Sequence, residues 1–329
     1  MNDKLIYGGA DVGGTNIAVA IADQDGNLVS EASVPTLAYQ GPESVLHRMG
    51  ELVLDLANKQ GGILHALGVG LPGLIDLQRG TTLFMPNFPT NWRNVAARAV
   101  LEQHVSCSVA LLNDARIATL GELRFGLGRG VNTMVYVTLG TGIGGGLVVD
   151  GKLRLGALGA AGELGHQTIL PDGPLCGCGN HGCLETLASG PALTGEGVRL
   201  IRSGLAPILH ELTSGEASRV NPKEMAKAAR RGDVWVKEAI RRAAVYLGIG
   251  IANLITIIHP ELVVLTGGVA AIGDTLLAII RDEVKRRVHM FPPDTVRIEI
   301  SSLGNRAGVY GAVALALDQY QNSSRTGDQ

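Results

Sequence analysis

Three of the chain's four cysteines, Cys176, Cys178 and Cys183, fall within eight residues of the stretch GHQTILPDGPLCGCGNHGCLE, and His166 stands ten positions ahead of the first. One imidazole nitrogen and three thiolates are a donor set that fills a tetrahedral zinc ion, leaving no open position. The metal expected here is therefore structural Zn2+. Gly177, Gly179 and Gly182 would let a short knuckle fold around the ion. The alternative, three reduced thiols in a glycine-rich loop, would leave them open to oxidation. Closing the loop on a metal would bring Glu163, three residues before His166, next to Glu185, two residues after Cys183. A metal-bound histidine can still donate from its second nitrogen. Two carboxylates and an imidazole N–H suit a polyhydroxylated ligand such as a sugar, whereas either glutamate alone would be a solvated surface charge.

Three glycine-rich loops offer backbone to a second ligand. DVGGTN joins two strands through Gly13, Gly14, Thr15 and Asn16, whose amides and hydroxyl can hydrogen-bond phosphate oxygens, with Asp11 placed for Mg2+ directly or through water. An ordinary Gly-Gly hairpin is the plainer reading of that segment alone. GTGIGG, residues 140–145, has the spacing of a dinucleotide fingerprint but runs into the apolar segment GLVVDG instead of opening a helix. A second phosphate-binding hairpin, led by Thr141 and Gly142, fits it better. LTGGV ends a buried strand at Gly267 and Gly268, where bare backbone suits a nucleotide base and ribose.

SVALLND reads as a buried strand ending at Asn113 and Asp114, just before the helical pattern DARIATLGEL. Asp114 is either the N-cap of that helix or, at the carboxyl end of an α/β strand, a carboxylate that accepts the proton of an attacking hydroxyl.

The segments around these residues alternate between the two periods. Residues 4–34 read as strand, glycine turn, strand, turn, strand, and MVYVTLGTGIGGGLVVDGKLR repeats that pattern about 125 residues later, which points to a duplicated unit. Apolar residues at helical spacing mark SVLHRMGELVLDLANKQ, and further helices are expected over 272–288 and at GVYGAVALALDQY, before a polar tail expected to be disordered. The fold class expected is α/β in two similar lobes: an N-terminal lobe over 1–115, joined by a final helix over 307–321, a C-terminal lobe over 116–306, and a tail from 322. With 329 residues, 46% hydrophobic and 18% charged, the composition is that of a globular protein. A net charge of −2 gives no electrostatic case for nucleic acid or an acidic membrane. The apolar run Ala243 to Ile258 carries Asn253, is short for a membrane span, and is expected to be a buried helix. The N-terminus carries no charged-then-apolar leader pattern, so a cytoplasmic protein is expected, with Cys107 a small core residue.

DVGGTN, GLPGLID, ND at 113–114, TLGTGIGGG, GELGH and CGCGNHGCLE together resemble the ROK family (repressors, uncharacterised reading frames and sugar kinases), and within it the bacterial ATP-dependent glucokinases. The resemblance runs from about residue 5 to about residue 320. Its last two motifs are specific where the glycine loops are not. It implies an actin-like, ribonuclease-H-like two-lobe (ASKHA) fold with ATP in the cleft, Mg2+ on its phosphates and Asp114 as the base for the sugar 6-hydroxyl. It further implies that Asn113, Glu163, His166 and Glu185 hold other hydroxyls, that Gly73 and Asn87 line the pocket, that the last helix returns to the N-terminal lobe, and that the protein is a homodimer or tetramer. The family's repressors carry a DNA-binding segment ahead of the first phosphate loop, and only ten residues precede Asp11 here. Polyphosphate-using relatives generally lack the cysteine cluster, which favours ATP. Glucose is the expected sugar, although N-acetylglucosamine and N-acetylmannosamine kinases share these motifs. A non-catalytic sugar sensor and an actin-like ATPase or chaperone are the competing classes.

Overall fold

The computed structural model describes residues 4–85, 88–89 and 92–326. The chain opens with β1 (Leu5–Val12), β2 (Asn16–Ala22) and β3 (Leu28–Pro35), continues through α1 (Pro42–Lys59), β4 (Ile63–Leu71), the short hairpin β5 (Leu74–Asp76) and β6 (Thr81–Phe84), and then α2 (Ala97–Val105), β7 (Ser108–Asn113) and α3 (Asp114–Phe125). Next come β8 (Met134–Leu139), β9 (Ile143–Val149), β10 (Lys152–Arg154), α4 (Leu184–Ala188), α5 (Gly190–Arg202), α6 (Pro207–Thr213), α7 (Pro222–Arg230), α8 (Val234–Ile258), β11 (Leu262–Thr266), α9 (Asp274–Arg287), β12 (Arg297–Ile300) and α10 (Ala307–Thr326).

Two five-stranded sheets share one topology. The first is ordered β3-β2-β1-β4-β7 and the second β10-β9-β8-β11-β12. In each, the opening strand pairs antiparallel with its hairpin partner and parallel with a strand that arrives later in the chain, which pairs parallel with the last. The repeat in the sequence is thus a repeat of strand order. Each parallel trio also brings its carboxyl ends to one edge: Asp11 pairs with Gly70 and Leu71 with Asn113 in one sheet, Thr266 with Thr138 in the other.

The chain forms two compact units, residues 1–130, 153–161 and 305–329, and residues 131–152 and 162–304. The first differs from the lobe expected to end at residue 115. Helix α3 stays with it, because α3 packs along α10 with glycine at the contact: a Cβ on Gly121 or Gly311 would run into backbone of the other helix. The segment 153–161 stays with it too, Leu153 and Leu155 packing beside Leu112 and Ile117. Helix α10 extends to Thr326, past the point where a disordered tail was expected.

The first unit's main core joins the inward faces of β1, β2 and β4 to α1 and α2 through Ile6, Val19, Val69, Met49 and Leu101. The second unit's core runs through Val135, Val263, Leu247, Ile251 and Ile280. Helix α8 contains the run expected to be a buried helix. It is long and apolar enough to span a bilayer, but one stripe of it, including Leu247, Ile251 and Ile255, lies in that core.

Candidate active site and metal centre

The corner after β7 is built by Asn113. Its backbone is extended (ψ 147°) and its side-chain oxygen accepts from the amides of Ala115 and Arg116, so the N-cap of α3 is Asn113. Asp114 is the first helical residue instead, exposed, with one carboxylate oxygen 2.8 Å from the amide of Ala115. A carboxylate in the first turn of a helix is favoured by the helix dipole. The cap role offered for Asp114 is therefore filled by its neighbour. Asn113 also donates to the carbonyl of Gly73 at 2.9 Å. Gly73 has φ 86°, and a Cβ there would strike the carbonyl of Phe84, so only glycine lets the turn after β4 reach across to the end of β7. Asn87 lies outside the described residues.

Asp11, near the end of β1, lies against Gly70 of β4 and Gly308 of α10, each of which would clash with it if it carried a Cβ. Desolvation pushes its carboxyl up to about 7, and the charge of Asp114 adds to the rise. Two carboxylates in that relation are a fit for a divalent cation, whose charge would offset both terms. The adjoining turn closes with the amide of Gly13 donating to the carbonyl of Asn16 at 2.9 Å, and Gly13, Gly14, Thr15 and Asn16 are all exposed. Its underside is held by a residue that no local sequence pattern marks. Thr36 is fully buried, donates from its hydroxyl to the carbonyl of Gly13 at 2.7 Å and from its amide to that of Thr15 at 2.8 Å.

In the second unit, the turn between β8 and β9 is pinned from two sides. The amide of Gly190, opening α5, donates to the carbonyl of Gly140, and the amide of Ile143 donates to the carboxylate of Glu185 at 2.9 Å. Thr141 is exposed on that turn. At the neighbouring strand end, Gly267 has φ 94° and lies so close to Leu139 that a Cβ would strike its backbone, while Gly268 faces open space.

The glycines of β9 serve packing as well. A Cβ on Gly145 would meet Leu164, and one on Gly165 would meet the carbonyl of Ile143, so the GELGH turn lies directly on the sheet. That turn places Glu163 beside His166, with a carboxylate oxygen 3.8 Å from Nε2. The other ring nitrogen, Nδ1, lies 3.6 Å from Sγ of Cys176, and Sγ of Cys178 lies 3.7 Å from Sγ of Cys183. All four donor atoms fall within 4.8 Å of one another. Zinc bonds of about 2.3 Å to sulfur and about 2.05 Å to nitrogen set tetrahedral edges near ~3.75 Å for S···S and ~3.55 Å for N···S. The residues fit the ion. Burial pushes the Cys183 thiol up to about 12 and raises that of Cys176, so these two donors become thiolates only with a cation beside them. Glu185 adjoins the cluster, one oxygen 3.8 Å from Sγ of Cys176 and the other accepting from the amide of Ile143 at the β8–β9 turn. Cys107 stands apart, packed against the first unit's core.

Residues 7–319 match the model of the ROK family. The chain is 35% identical over 316 residues to a glucokinase of Thermotoga maritima, covering 95% of this chain and 97% of that one. It is 32% identical to a xylose repressor of Caldicellulosiruptor bescii, covering 94% of this chain and 77% of the repressor. Among solved structures it is similar to a ROK family glucokinase from Streptomyces griseus in complex with glucose and AMPPNP, at 34% identity and TM-score 0.81, with 95% and 99% of the two chains covered.

Proposed function

The chain belongs to the ROK family, and on that footing we propose that it is an ATP-dependent glucokinase, a phosphotransferase that moves the γ-phosphoryl group of ATP to the 6-hydroxyl of D-glucose. The observation that carries the reading is the full-length likeness to a kinase solved with glucose and AMPPNP. A histidine with one nitrogen among the cysteine sulfurs and the other facing a carboxylate supports a polyol ligand.

In this reading Asp114 orients the 6-hydroxyl and takes its proton as the oxygen attacks phosphorus. Phosphoryl transfer passes through a loose transition state, so positioning and charge stabilisation are most of what the protein supplies. Asn113, Glu163, His166 and Glu185 bind the remaining hydroxyls, with Gly73 and Asn87 lining the pocket. The amides and hydroxyls of Gly13, Gly14, Thr15, Asn16, Thr141 and Gly142 bind the phosphates, and Gly267 and Gly268 give backbone to the base and ribose. Asp11 holds Mg2+, which supplies charge neutralisation on the phosphates when bound. His166, Cys176, Cys178 and Cys183 hold Zn2+, whose part is structural. The protein acts in the cytoplasm as a homodimer, the latter checked by light scattering.

A sugar-binding regulator is the second reading, favoured by the likeness to a xylose repressor. Coupled ADP release with and without glucose separates the two: the kinase releases ADP only with sugar, and the regulator not at all. A panel including N-acetylglucosamine and N-acetylmannosamine in the same assay fixes the preferred hexose.

A further inference from the structure

We propose that Arg116 is a positioning residue for the sugar site, one that locks the side chain of Asn113 so that it can only donate to the substrate. The inference rests on the sugar-kinase reading above. Arg116 lies in the first turn of α3, and the residue is only 2% exposed. A buried cation is costly unless its donors are satisfied, so its partners report what it is for. Nε donates to the carbonyl of Ala161 and Nη1 to Oδ1 of Asn113, each at 3.0 Å.

The same oxygen of Asn113 accepts from the amides of Ala115, at 3.0 Å, and Arg116, at 3.3 Å. A carbonyl oxygen has two lone pairs, and three donors already crowd this one. It has no capacity left for a ligand, and the amide cannot flip without setting its NH2 group against three donors. Nδ2 gives one proton to the carbonyl of Gly73 at 2.9 Å. One amide proton remains, and it meets no acceptor among the described residues. Asn113 therefore offers a ligand a single N–H, which selects an acceptor such as a hydroxyl oxygen at that position.

Without the Arg116 side chain the two helix amides still cap α3 on Asn113, so the fold is expected to survive, while Oδ1 loses its side-chain donor and the amide, held by backbone bonds alone, can tilt away from the ligand. Arg116→Met removes the bonds to Ala161 and Asn113. Arg116→Lys keeps the charge but cannot reach both acceptors as a fork. In the full-length protein, the Met variant is expected to raise KM for glucose by about tenfold, the scale of one misplaced hydrogen bond, and to leave KM for ATP within about twofold. The Lys variant should fall between it and the parent. A purely structural residue would lower the melting temperature and the active fraction with KM for glucose unchanged. That result, or failure of both variants to fold, overturns the proposal. If the parent protein releases no ADP with glucose, the kinase reading falls by itself. The positioning of Asn113 is then read from the NMR signals of its side-chain amide, which should shift in Arg116→Lys. Unshifted signals overturn it.

Discussion

Because Asn113 takes the cap of α3, the carboxylate of Asp114 is not needed to satisfy the helix amides, and its substitution isolates chemistry from folding. Asp114→Asn keeps shape and hydrogen bonding but cannot accept a proton. It is expected to lower kcat by roughly 10²-fold or more, the scale of a general base, with KM for glucose little changed. Glu163→Gln should do the reverse, raising KM for glucose several-fold with a smaller effect on kcat, in the same steady-state assay. Asp11 gives a stability signature. Its folded-state pKa of about 7 stands above its ordinary 3.8, so between those values the folded protein holds a proton that the unfolded chain has lost. Stability attributable to this group is present below about pH 4, falls as pH rises toward 7 and is flat above. The full shift would be worth about 4 kcal/mol, and a carboxyl that water partly reaches keeps roughly half of that. Asp11→Asn should therefore unfold later than the parent at pH 8 without Mg2+, by on the order of 2 kcal/mol, and equally at pH 4, as read by thermal melts. A constant difference across that range would show that Asp11 is not the group titrating.

At the scale of elements, the loop that carries the cysteines is held by short-range backbone bonds of its own. Between Leu170 and Leu184 the chain is stapled by turns such as the Cys176 amide on the carbonyl of Asn180 at 2.7 Å, and by isolated bridges pairing Thr168 with Cys183 and Leu175 with His181. A metal on the four donors would add a further tie, and Glu185 lies just beyond Cys183 in the first turn of α4. Cys178→Ser, or removal of Zn2+ by chelation, is expected to cost about 3 kcal/mol or more, roughly 5–10 °C in melting temperature, and most of the activity. Elemental analysis should find one zinc per parent chain. Zinc-free protein with full activity would overturn the role. This cluster was legible in the sequence because ligand chemistry depends on residue type and spacing alone. So was the corner from β7 to α3, where a buried apolar run meets Asn-Asp and then helical spacing. Thr36 and Arg116 were not legible. Their partners are carbonyls and amides of residues made adjacent by folding, and no local pattern marks a threonine or an arginine for burial. The hairpin of β5 and β6 was missed for a related reason, since its strands are short and Thr82 is held from outside by Val95.

At the scale of the whole molecule, the repeated strand order was legible because both copies begin with the same strand–glycine turn–strand pattern. The extent of the first unit was not, because it is closed by contacts between segments near opposite ends of the chain. Helix α10 lies on β1 and β4 with backbone almost touching backbone: a Cβ on Gly9 would strike Val313, and one on Gly68 would strike Ala312. Val309 and Val313 bury themselves against Ala20 and Ala22. Such side chains contribute roughly 1.5–3 kcal/mol each when fully buried, so removing the helix removes more than the margin by which a domain is folded. The second unit's buried core residues all fall between 135 and 298, outside that helix. Deleting residues 305–329 should therefore abolish the cooperative melt of the first unit, while the second still binds one zinc per chain. Differential scanning calorimetry with zinc analysis on the same sample checks both. If the truncated chain lost its zinc as well, the second unit would not fold by its own core, and the metal could no longer report on that unit alone.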